Sequence, residues 1–65
     1  MSIGSNIKRI REAQGMSQTE LAKAVGVTQS MLCQVERGTK ALSLPLGADI
    51  AGVLNCNIED LLKDS

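Results

Sequence analysis

The chain has 65 residues, a formal net charge of zero, two cysteines, and neither aromatic residues nor histidine. That length allows one domain over residues 1–65 with one small core. The core must be aliphatic, and the missing rings argue against stacking platforms for single-stranded nucleic acid or a cofactor. Cys33 and Cys56 form no CxxC pair, and a structural zinc site needs about four Cys or His ligands. Neither a metal nor a disulfide is therefore expected. No apolar run is long enough to cross a bilayer or to serve as a secretory leader, so a soluble, cytoplasmic protein is expected.

The neutral total conceals an uneven distribution. Residues 1–40 carry Lys8, Arg9, Arg11, Lys23, Arg37 and Lys40 against Glu12, Glu20 and Glu36, a net +3. Residues 41–65 carry Lys63 against Asp49, Glu59, Asp60 and Asp64, a net −3. A basic face opposite an acidic one follows.

Apolar spacing is helical along almost the whole chain. Ile3, Ile7 and Ile10 define a first amphipathic helix that stops at Gly15. Ser17 then reads as an N-cap, with Glu20 as its capping-box partner and Met16 and Leu21 as a hydrophobic staple. This second helix carries Leu21, Ala22 and Val25 inward and ends at Gly26. Thr28 caps a third, flanked by the staple pair Val27 and Leu32; Leu32 and Val35 point inward and Gly38 ends it. A fourth helix begins at Ser43, tolerates Pro45 in its first turn, and runs through Ile50, Ala51 and Leu54 to Asn55. Gly47 and Gly52 inside it each cost roughly 1 kcal/mol relative to alanine, unless close packing needs them. Asn57 caps a short last helix, with Cys56 and Leu61 as its staple and Asp60 in its first turn.

The informative stretch is QTELAKAVGVTQSMLCQVER, Gln18 to Arg37. Two short helices meet at Gly26, where glycine accepts a positive φ without steric cost. Ala22 is small where the helices press together, and Leu21, Val25, Val27, Leu32 and Val35 fix the angle between them. This is the sequence form of a helix-turn-helix.

With those seven positions filled, the chain resembles the Cro/CI-type, or XRE-type, helix-turn-helix family of phage and bacterial regulators. The likeness runs from NIKRIREAQGMSQTELA, through the ERG closing the third helix, to LNCNIEDLL. It implies an all-α, compact five-helix, lambda-repressor-like domain whose third helix enters the major groove of duplex DNA. Gln29, Ser30 and Gln34 are then the candidates for base contacts, since a glutamine amide pairs bidentately with adenine. Gln18, Thr28, Arg37, Thr39 and Lys40 are candidates for the phosphate backbone. The resemblance also implies a structural ion pair between Arg11 and Glu36, which removes Arg11 from the DNA-contact set.

The function expected is sequence-specific binding of double-stranded DNA by a transcriptional regulator, acting as a homodimer on a palindromic operator. Leu46 and the Leu61–Leu62 end are candidate dimer surfaces. Cys33 falls beside the groove-facing residues; Cys56 and Met31 read as packing. The alternative is a protein-binding module of the same fold, such as an antitoxin or anti-repressor partner, which the neutral charge and acidic second half would suit. Nothing resembles an enzyme site, because no nucleophile stands beside a base, and no phosphate loop or cluster of carboxylates on a shared face appears. No cofactor, membrane or small-molecule ligand is expected.

Overall fold

The helices begin and end where side chains and turns satisfy their free backbone groups. A computed structural model describes residues 3–62, which leaves Lys63 and Asp64 of the charge count outside it. Five helices follow in order: α1 (Ile3–Ala13), α2 (Gln18–Val25), α3 (Gln29–Arg37), α4 (Leu44–Val53) and α5 (Ile58–Leu62).

At the start of α2 the Ser17 hydroxyl accepts from the Glu20 amide at 3.0 Å, and Ser17 N–H donates to Glu20 Oε1 at 2.9 Å. The Thr28 hydroxyl accepts from Met31 N–H at the start of α3, and Ser43 does the same for Leu46 in α4. In α5 the reaching-back half of the motif dominates: Asp60 Oδ2 accepts from the Asn57 amide.

One device closes four helices. After α2, Gly26 sits in the left-handed region at φ 76°, its N–H bonds Lys23 O, and Val27 N–H bonds Ala22 O. This is the Schellman arrangement. Gly15 and Gly38 repeat it after α1 and α3. Asn55 does so after α4 at φ 56°, as the one non-glycine at positive φ among the described residues.

Ile7, Leu21, Leu32, Ile50, Leu54 and Leu61 are fully buried and meet in one core to which every helix contributes. Burying each contributes roughly 1.5–3 kcal/mol. The helix α1 packs on α3 and α5, α2 on α3 and α4, and α4 on α5. Two side-chain amides tie the layers together: Asn6 donates to Leu61 O at 3.0 Å, and Gln14 donates to Leu54 O. Both thiols are free; Cys56 and Met31 lie half-buried against the core, as expected.

The expected dimer surfaces need correction. Leu46 and Leu61 are 7% and 0% exposed and belong to the core. The cap at Ser43 sets the phase of α4 so that its third residue, Leu46, turns inward while its first, Leu44, stands 75% exposed. At the end of α5, Leu62 is exposed and Leu61 is not.

The two glycines of α4 also differ. A Cβ on Gly47 would come within 3.2 Å of the Leu42 side chain, whereas one on Gly52 would meet nothing within 4 Å. Gly52→Ala should therefore raise the unfolding free energy by about 1 kcal/mol, read as a rise of several degrees in the melting temperature. Unchanged or lowered stability would contradict the open environment assigned to it.

Glu20 supplies a pH test. The hydrogen bond from Ser17 N–H, with a smaller contribution from the Ser17 hydroxyl, holds its carboxyl below the ordinary value. A lowered folded-state pKa adds stability that is complete above the unfolded value and disappears as pH falls through the folded one. Glu20→Gln keeps an acceptor without the titration. The stability difference between the two proteins should shrink as pH drops below about 4, and a constant gap between about pH 7 and about pH 3 would refute the linkage.

Candidate nucleic-acid interface

The 3.6-residue helical period sorts α3 into two faces. Leu32 and Val35 are buried in the core, while Gln29, Ser30, Gln34 and Arg37 are exposed on the opposite side. Cys33 lies half-buried in the middle of that outer face. The first turn of α3 has no acidic residue, so nothing there repels an anion from its positive end. Thr28 strengthens the point: its oxygen caps the helix at 3.1 Å from Met31 N, which leaves the hydroxyl proton for an acceptor outside.

Beneath this face lies a buried pair. Arg11 Nε bonds Glu36 Oε2 at 2.8 Å, and Arg11 Nη2 bonds Glu36 Oε1 at 3.0 Å, a two-point fork. The side chains are 8% and 2% exposed. Arg11 Nη1 adds a 2.8 Å bond to Met16 O in the turn between α1 and α2. The bond to Glu36 is the main reason the guanidinium pKa rises. The pair implied by the resemblance is present, and it fastens α1 to the far end of α3.

Glu36 has a further partner that sequence reasoning did not supply. Gln18 Nε2 donates to Glu36 Oε1 at 3.0 Å, and Gln18 Oε1 accepts from Gln29 Nε2 at 3.4 Å. A relay therefore runs Arg11–Glu36–Gln18–Gln29, from the core to the outer face of α3. The Gln18 side chain, expected at a phosphate, is anchored on Glu36 and has its oxygen 3.4 Å from the Gln29 amide. Nothing in the spacing of residues 18, 29 and 36 announces this, since it depends on the angle between α2 and α3.

The remaining candidates separate by what their polar atoms already do. Thr39 donates its hydroxyl proton to Gln34 O at 3.2 Å, closing α3, so that proton is occupied. Arg37 and Lys40 are exposed. Burial raises the thiol pKa of Cys56, with a smaller effect from Asp60, and so keeps it protonated. Among the described residues no helix is long and apolar enough to cross a membrane.

Comparison with known proteins agrees with this geometry. The family model described as helix-turn-helix matches residues 7–61. A helix-turn-helix-type transcriptional regulator of Archaeoglobus fulgidus is 44% identical over 57 residues, covering 88% of this chain and 81% of the relative. The biofilm master regulator SinR, solved in complex with DNA, superposes with a TM-score of 0.87 at 34% identity, over 94% of this chain and 98% of that one. The P22 c2 repressor, solved with a synthetic operator, superposes with a TM-score of 0.90 at 26% identity, over 100% and 98%.

Breaking the buried pair from one side should be severe. Glu36→Ala leaves a buried guanidinium without its partner and should cost about 3–5 kcal/mol, a large share of the roughly 3–10 kcal/mol available to a chain of this size. The apolar double variant Arg11→Met with Glu36→Leu should recover most of that loss. Urea titration reads both, and a Glu36→Ala protein as stable as the parent would disprove the buried placement.

Proposed function

Since the chain belongs to the Cro/CI-type helix-turn-helix family of DNA-binding transcriptional regulators, we propose that it reads its operator through Gln29, Ser30 and Gln34 on α3, laid in the major groove. The outward face of α3, with Gln29, Ser30 and Gln34 exposed on the side opposite the core, is the observation that carries this reading. Gln29 can donate an amide N–H to adenine N7 and accept from the adenine N6 amino group at its carbonyl oxygen. Its long 3.4 Å contact with Gln18 Oε1 biases the side chain without fixing it.

Thr28, Arg37 and Lys40 hold the phosphate backbone on either side of the groove. The capping box uses the amides of Ser17 and Glu20, and the backbone N–H of Gln18 lies between them at the positive end of α2, where it and the second amide N–H of the Gln18 side chain serve a phosphate. The Thr39 hydroxyl serves α3 itself. The protein-binding alternative has less support, because the matched solved structures include complexes with DNA.

The protein acts as a homodimer on a two-fold operator, as a repressor working in the cytoplasm. Leu44 with its exposed neighbours Ala41, Pro45 and Ala48 supplies the pairing surface for the second copy. These four positions are apolar, and the exposed charges beside them, Lys40 and Asp49, are of opposite sign. A standard interface takes about 800 Å² per partner, a fifth of the 3951 Å² accessible here. These four side chains offer much less, so pairing depends on the DNA that aligns the two copies.

Selection from a random duplex library tests this. The expected product is a two-fold symmetric site with half-site centres about one helical turn apart. Gln29→Ala and Gln34→Ala should each relax discrimination at one position by about 1–3 kcal/mol. Arg37→Ala and Lys40→Ala should instead weaken all duplexes alike and lower the salt slope by about one each. No enrichment at micromolar protein would end the reading.

A further inference from the structure

A Cβ added to Gly4 would lie 2.3 Å from the carbonyl oxygen of Val35, 2.5 Å from that of Glu36, and 2.7 Å from the Glu36 carbonyl carbon. All three are backbone atoms in the last turn of α3. No side-chain rotation can relieve such an overlap, so one helix has to move. The first turn of α1 therefore meets the final carbonyls of α3 directly, the positive end of one helix dipole against the negative end of the other. The Arg11–Glu36 fork is a second fastening of that same end of α3, two turns further along α1.

From this contact we infer that Gly4 is a positioning residue for base reading: by letting two backbones touch, it sets the tilt of α3. The inference rests on the assignment of α3 as the reading helix. The helix α1 is poorly placed to yield, because Asn6 ties it to α5, and Gln14, in the turn just after it, bonds the carbonyl after α4. The near end of α3 is pinned to α2 by the tight turn at Gly26. Its far end is held to α1 by the Arg11–Glu36 fork and otherwise runs into the exposed residues 37–41. An added Cβ beside the Val35 and Glu36 carbonyls pushes against that fork, and the displacement goes to that end.

Real Cβ contacts essentially never fall below 3.0 Å, so an alanine here requires a separation of at least about 0.7 Å. Nine residues make α3 about 13 Å long. Pivoting about its first turn, it carries Gln34 through more than half of the displacement and Gln29 through almost none. A shift of about 0.4 Å takes a hydrogen bond from about 2.9 Å past the usual limit of about 3.2 Å. Gly4→Ala therefore damages the reading by Gln34 and spares that by Gln29.

The test compares duplex-selection profiles of Gly4→Ala and of Ile50→Val, a core change in α4, both in the Gly52→Ala background and corrected for folded fraction. For Gly4→Ala, discrimination should fall about tenfold at the base pairs that Gln34→Ala relaxes and persist at those of Gln29. Ile50→Val should leave both intact. An unchanged Gly4→Ala profile overturns the inference. Should Gly4→Ala fail to fold, Val35→Ala loosens the core packing at the same end of α3 without touching Glu36 or Gln18 and must produce the same skew; an even profile there overturns it as well. A parent protein that selects no duplex defeats the assignment of function separately. Positioning is then read from backbone amide shifts, which should change across Gln34–Gly38 and not at Gln29, while changes confined to α1 would refute it.

Discussion

The structure depends on one buried ion pair in which every nitrogen and every carboxylate oxygen has a partner. Taking a guanidinium and a carboxylate out of water costs several kcal/mol per ion, and their attraction offsets this only when geometry is good and the remaining donors and acceptors are satisfied. Both conditions hold. Arg11 makes its fork to Glu36 and a third bond to Met16 O, and Glu36 takes Gln18 as well. Among the described residues no buried side-chain nitrogen or oxygen lacks a partner. These few atoms belong to α1, the turn after it, α2 and α3, so their mutual positions cannot drift separately. Apolar packing alone would tolerate small rotations between helices this short; a bidentate fork does not.

The same pair reaches the surface. Gln18 is anchored by the carboxylate below it, and its oxygen lies 3.4 Å from the Gln29 amide above. A glutamine fixed in this way has lost up to about 2 kcal/mol of rotamer freedom during folding, so the base of the outward face of α3 is ordered from the core. For this reason the buried charge, which is weak evidence for stability, is better understood as a device for register.

What the sequence made legible, and what it did not, divides by distance along the chain. Ser17 with Glu20, Thr28, Ser43, and the left-handed closures at Gly15, Gly26, Gly38 and Asn55 are all written within a few residues, and all appear where the spacing puts them. The outward face of α3 was equally readable, because a helical period needs only its start. Leu46 was misplaced because two leucines two residues apart take opposite faces, and the cap that decides between them gave no hint of which face the core would occupy. Gly4, Asn6 and the Gln18–Glu36 bond were unreadable for a different reason. Their partners are between 18 and 55 residues away, and only the crossing of helices brings them together. The Arg11–Glu36 pair, 25 residues apart, was available through family resemblance and not through pattern.

Charge shows the same need for placement over totals. A neutral chain would seem a poor match for DNA, yet a polyanion responds to the charges within reach of it. Exposed charges further apart than a Debye length of about 8 Å in physiological salt are largely screened from one another, and this molecule measures 26 × 23 × 20 Å. Arg37 and Lys40 lie at the far end of α3 and just beyond it, while Glu59 and Asp60 sit on α5, which packs on α1 and α4. The acids therefore subtract little from the field near α3. They do lower the long-range attraction to any DNA, which is the sequence-independent part of affinity. Where phosphate contacts are few, a regulator gains relatively more of its binding from base edges, so the placement of α3, which the Arg11–Glu36 fork fixes, weighs more than it would in a strongly basic protein.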